Sequence, residues 1–180
     1  LLEMKKQLEL FRPMNYHVSS WSILPHESTA LWSEYGGASS GVAIKSTWGK
    51  LGESLSFPKA AWGLGVKYDN YETKWIPEGL HFYPLLHKRN FFSFEAEARI
   101  LIWSVTAEPG GNFPDGSPTQ RLRIGPESIR VPLDLPNFAD EFVFGAKMQS
   151  WEQDLLLQLI SDCGVNIKSR ISSLADLPQF

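Results

Sequence analysis

The run Arg99–Val105 (RILIWSV) is apolar in both phases of a two-residue period, so a strand made of it must be covered on both faces. Such a strand sits inside a sheet, flanked at both edges. Twelve Pro and fourteen Gly in 180 residues cut the rest of the chain into short elements that must provide those flanks and covers. A chain of this length fits one domain or two very small ones, and one domain with a sizeable core is expected.

The flanking elements follow from local patterns. Leu1, Met4, Leu8 and Phe11 share a helical face that Arg12-Pro13 ends. Tyr16–Ile23 (YHVSSWSI), bounded by Pro13 and Pro25, reads as a strand, and Glu27–Tyr35 reads as a helix stopped by Gly36-Gly37. A strand is expected over Gly41–Ser46, a short helix capped by Thr47 runs to Leu55, and Val66–Tyr71 alternates as a strand does. Lys74–Arg89 reads as a loop with one helical turn near Leu85-Leu86. Thr106–Gln120, with three Pro and three Gly, reads as a long surface loop. Arg121–Ile124, Ile129–Leu133 and Glu141–Phe144 are expected as short strands. Lys147–Asp162 is expected as a helix whose Met148, Trp151, Leu155 and Leu159 pack on the sheet. Gly164 closes it, before a strand at Val165–Ile167. The expected fold is α+β: one mixed, mostly antiparallel sheet with helices packed over it, as a single domain over 1–180.

Composition excludes several classes of function. Hydrophobic residues at 43% and charged residues at 21% are incompatible with disorder or a collagen repeat. A net charge of −3, with no basic cluster denser than Lys88-Arg89, argues against dedicated DNA-groove binding. The lone Cys163 allows no internal disulfide and no Cys-based zinc site, and His26, His81 and His87 lack metal-ligand spacing, so no metal is expected. No apolar stretch reaches the roughly 18 residues of a membrane-spanning helix. Leu1 stands where an initiator Met is absent, with no basic-then-apolar leader, so a natural segment upstream and a cytoplasmic location are expected.

The densest chemistry is Phe91–Arg99 (FFSFEAEAR). Extended, Glu95, Glu97 and Arg99 share one face; helical, Glu95 and Arg99 become an i,i+4 pair and Glu97 points elsewhere. Either geometry brings a guanidinium to a carboxylate. A structural Glu-Arg pair is one reading, and carboxylates that bind a ribose hydroxyl or steady a cationic transition state are the other. On the Ser-rich strand, alternation puts His17 and Ser19 on one face and Ser20 and Ser22 on the other, with no nucleophile elbow around any serine. Trp32 and Tyr35 share a helical face, either as core or as a base-stacking platform, and Trp151 reads as core.

As an ordered set these pieces resemble a bacterial family known as Domain of Unknown Function 2971. The matching string is Val18-Ser19-Ser20-Trp21-Ser22, Trp32-x-x-Tyr35, Gly41-Val42-Ala43-Ile44, Val66-x-Tyr68, Phe94-Glu95-x-Glu97-x-Arg99, Phe144-Gly145-Ala146-Lys147, then Val165 and Ser169. It covers about residues 16–170. The chain lacks the family's upstream Phe-Asn-Asp-Pro segment, and Lys74–Arg89 is shorter than the family's helical insert. The resemblance implies a role in phage-defence or abortive-infection loci.

The Ser-rich strand and Glu-x-Glu pair are also similar to those of ADP-ribosyltransferases. That likeness implies NAD as cofactor and a protein or nucleic-acid acceptor. Glu97 would hold the nicotinamide ribose and stabilise the oxocarbenium ion, and Glu95 would orient the acceptor. Arg99 would complete the catalytic block, with Ser20, Trp21, Ser22 and Tyr35 against the cofactor. The two resulting expectations are an NAD-dependent ADP-ribosyl transfer or NAD-cleaving effector, and a non-catalytic sensing or protein-binding module of the same loci.

Overall fold

A computed structural model describes residues 16–37, 41–56, 61–74, 82–112, 114–123 and 125–176. The helix expected over residues 1–11 lies outside them. The chain forms two compact units, one of Leu1–Ile23 with Phe57–Arg130, the other of Leu24–Ser56 with Val131–Phe180.

In the first unit, β1 (Tyr16–Ser22), β6 (Glu97–Trp103) and β3 (Ala61–Gly65) form an antiparallel sheet in the order β1-β6-β3. The doubly apolar run is therefore central, as its two covered faces require. Ala98, Ile100, Leu101 and Ile102 are all buried. On one face Leu101 meets Tyr16 and Leu86, with Leu64, Phe82, Tyr83, Leu85 and Trp103 packed around them. Tyr16 stands edge-on to Trp103 at 4.9 Å and to Phe82 at 6.2 Å between ring centroids, a favoured aromatic geometry. Beside this sheet β4 (Lys67–Asp69) pairs in parallel with β5 (His87–Arg89), and β7 (Thr106–Asn112) forms a hairpin with β8 (Pro118–Arg123).

In the second unit β9 (Glu141–Phe144) is central, antiparallel to β2 (Val42–Lys45) and parallel to β10 (Lys168–Ile171). Among the described residues, its buried apolar residues are Leu51, Phe138, Ala139, Phe142, Val143, Phe144, Met148 and Val165. Helix α1 (Thr29–Tyr35) starts where the Ser28 hydroxyl accepts from the Leu31 N–H and stops at Gly36, and α2 (Trp48–Ser54) is capped by Thr47. A short α3 (Leu135–Phe138) precedes β9. Helix α4 (Ser150–Asp162) opens with a capping box between Gln149 and Glu152, and Gly164 follows its end at φ 72°, a conformation glycine adopts without steric cost.

The fold is α+β and its strand pairings are mostly antiparallel. Among the described residues, the expected single sheet is corrected to two three-stranded sheets and two two-stranded pairings. Four local readings also change. Thr106–Gln120 is largely the β7–β8 hairpin, whose Pro and Gly residues are accommodated with a register shift between Pro109 and Gly111. Ile129–Leu133 contributes only a bridge from Leu133 to Leu55, and the last strand begins at Lys168, after Val165–Ile167. The stripe on α4 does not pack on a sheet: Trp151, Leu155 and Leu159 are 64%, 54% and 51% exposed. Its half-buried residues are Glu152, Gln153, Leu156 and Ile160.

Candidate functional site

The Glu-x-Glu-x-Arg block adopts neither regular geometry throughout. Asn90–Glu95 winds as a 3-10 helix, Ala96 turns the chain at φ 41° and ψ 59°, and Glu97 begins β6. The left-handed turn changes the direction of the chain between the two glutamates. It is held by the Ala96 N–H donating to the Ser93 carbonyl at 3.2 Å and by the Ile23 N–H donating to the Ala96 carbonyl at 2.9 Å. Glu97 and Arg99, two apart on a strand, share a face. Across β1 the register sets Ser22 opposite Glu97 and Ser20 opposite Arg99, so both serines stand on that face too.

Glu97 is 6% exposed and Glu95 5%. The Arg99 guanidinium grips Glu97 with two parallel bonds, Nε to Oε1 at 2.7 Å and Nη2 to Oε2 at 3.0 Å. Its remaining terminal nitrogen, Nη1, donates to the Leu85 carbonyl. The Lys88 ammonium bridges the two carboxylates, donating to Glu95 Oε2 and standing 3.2 Å from Glu97 Oε2. Ser20 donates to the Glu97 carboxylate, and the Ser22 hydroxyl donates to the Glu95 backbone carbonyl at 2.8 Å. The Tyr68 hydroxyl accepts from the Glu97 N–H at 2.7 Å. Burial pushes the Glu97 carboxyl up, but hydrogen bonds from Arg99, Ser20 and Lys88 and the Arg99 charge outweigh it and bring the carboxyl down to about 2. Burial lowers the Lys88 ammonium while Glu95 and Glu97 raise it, and the carboxylates prevail. Burial and the two neighbouring carboxylates also hold the Tyr68 phenol above its usual value.

No family model, curated protein or solved structure matches this chain. The chemistry of the site therefore rests on its own geometry.

The structure brings together Glu95, Glu97, Arg99, Ser20 and Ser22. Trp21, between the serines, alternates to the other face of the sheet, where its indole N–H donates to the Ser19 hydroxyl at 3.0 Å. Tyr35 belongs to the second unit and is 69% exposed, which corrects its reading as core. Lys88 and Tyr68 are the residues that sequence reasoning missed. They face one another in the three-residue β4–β5 pairing, which is too short to leave a periodic signal.

Two carboxylates and two cations make the cluster electrically neutral. A cation developing beside Glu97 would meet the Arg99 and Lys88 charges within the same few ångströms, which cancels most of the attraction a lone carboxylate would exert. What the arrangement does chemically is join β6 to β1, to the 3-10 turn at Tyr83–Leu86 and to β5 through side chains.

Proposed function

We propose that this chain is a non-catalytic sensing or protein-binding module of a bacterial defence locus, acting in the cytoplasm, in which the Glu-x-Glu-x-Arg block is a structural clasp. The observation that supports this reading is the engagement of both Glu97 oxygens by Arg99 and Lys88 in a carboxylate 6% exposed. A carboxylate held this way has little free field to offer a substrate cation. The defence setting comes from the resemblance to Domain of Unknown Function 2971.

A second reading, NAD-dependent ADP-ribosyl transfer or NAD cleavage, is favoured by one feature: Ser20 of the Ser-rich strand donates to Glu97, as a cleft of that kind would need. The test is NAD turnover and label transfer by the protein beside Glu97→Gln and Arg99→Lys, with folding followed by circular dichroism. The module reading expects no turnover in any of the three and a loss of stability in Glu97→Gln. Turnover by the wild type that falls roughly 10²–10³-fold in a folded Glu97→Gln would establish the enzyme instead.

A further inference from the structure

The stripe on α4 does not contribute to the core of its own unit. Trp151, Leu155 and Leu159 stand at four-residue steps on one side of the helix, each more than half exposed, over about 12 Å of axis. The charges carried by the helix itself have one sign. Ser150–Asp162 contains Glu152, Asp154 and Asp162 and no Lys or Arg. The Glu152 carboxylate is turned back to the Gln149 N–H at 2.9 Å. Asp154 and Asp162, both exposed, border the stripe. Asp162 lies in a last turn without a basic residue, at the helix end where the backbone dipole disfavours an anion. The Gln158 amide, 2.7 Å from Asp162, is neutral and does not compensate that charge.

We propose that the Trp151-Leu155-Leu159 face of α4 docks an amphipathic helical segment of a partner protein, with apolar residues at four-residue spacing and Lys or Arg beside them. The surface names a partner chemistry for the binding-module reading, on which it rests. Large apolar side chains at this spacing are anchors for a helix laid alongside, and a basic flank would meet Asp154 and Asp162. A second copy of the chain would oppose those same acidic residues to themselves. An anionic membrane surface would repel them, because helices that lie on such membranes present Lys and Arg around their apolar face.

The test is calorimetric titration of the full 180-residue protein with two synthetic amphipathic helices of about five turns, identical in their leucines, one flanked by Lys and the other by Glu. The expected result is saturable binding of the Lys peptide at least about tenfold tighter than its Glu twin. Leu155→Asp should weaken it by at least about tenfold with an unchanged far-ultraviolet spectrum. The double variant Asp154→Lys/Asp162→Lys should reverse the preference. If Leu155→Asp fails to fold, Leu159→Gln serves the same comparison.

Equal affinity for the two peptides, or no binding of the Lys peptide, overturns the proposal. So does a concentration-dependent dimer that the stripe variants abolish, or binding to phosphatidylcholine vesicles in place of either peptide. NAD turnover that depends on Glu97 would overturn the module reading without altering the peptide preference, so the two failures are distinguishable.

Discussion

At the residue scale, Ala96 shows how much a single dihedral angle decides. A left-handed conformation costs a residue with a Cβ about 1–2 kcal/mol, yet Ala96 adopts it because that turn carries the chain from the 3-10 helix to β6. Ala96→Gly should therefore stabilise the protein by about 0.5–1 kcal/mol, the relief of strain being partly offset by a freer unfolded chain. Urea denaturation measures it, and a loss of stability would contradict the account. The pairing of Arg99 with Glu97 was legible in the sequence as a two-residue spacing on a strand. The turn at Ala96 was not, since Ala has no preference for positive φ. Nor was the place of Lys88, because a cation seven residues before Glu95 reaches it only through a 3-10 turn that the aromatic run Phe91–Phe94 does not announce.

At the element scale, patterns that depend on one strand or one helix were the readable ones. RILIWSV specifies a central strand because no edge position would cover both of its faces. Replacing Ile100 or Ile102, each 5% exposed, by Ala should cost about 2–5 kcal/mol. The α4 stripe behaves oppositely. Trp151→Ala and Leu155→Ala should each change stability by less than about 0.5 kcal/mol in the same denaturation experiment, apart from any partner. A loss of several kcal/mol at Leu155 would show that the stripe is core. Periodicity located the helix but not its buried face, because apolar residues run around much of it: Leu156 and Ile160 are half-buried while Trp151, Leu155 and Leu159 are exposed. At its start the helix is held by the capping box at Gln149 and Glu152 and by the Gln153 amide donating to the Met148 carbonyl at 3.0 Å. The hairpin was hidden by its own composition, since Pro109, Gly110 and Gly111 within β7 carry the residue types of a loop.

At the scale of the whole molecule, the chain visits each unit twice, so neither unit is a continuous stretch of sequence. Pairings such as β1 with β6 join segments that local patterns cannot connect, which is why a single sheet was the simplest expectation. Among the described residues, each unit holds a heavily hydrogen-bonded carboxylate whose pKa is lowered. In the first it is Glu97. In the second it is Glu27, which accepts from Arg170 at 2.7 Å, from the Ser173 N–H at 3.0 Å and hydroxyl at 2.9 Å, from the Trp32 indole at 3.1 Å, and from the Ser172 hydroxyl. Burial raises Glu27, but Ser172, Arg170 and Ser173 bring it down to about 2. Both folded values lie below the ordinary 4.5, so each carboxylate contributes stability fully present above that value and lost as pH falls from 4.5 towards 2. The loss approaches on the order of 3 kcal/mol per group. Denaturation midpoints measured from pH 7 to pH 2.5 should fall steeply below pH 4.5, and Glu27→Gln and Glu97→Gln should each flatten the fall. An unchanged acid limb in both variants would contradict these assignments.

A double-mutant cycle between Glu97 and Arg99 tests the proposed clasp. Glu97→Gln, Arg99→Leu and the double variant are compared with the wild type by urea denaturation. Removing one partner leaves a buried charge without its counterpart and should cost about 3–5 kcal/mol, whereas the double variant should recover part of that loss. A coupling energy of about 1–3 kcal/mol is expected. Single losses that simply add, to within about 0.5 kcal/mol, would show that Glu97 does not depend on Arg99 and would contradict the clasp.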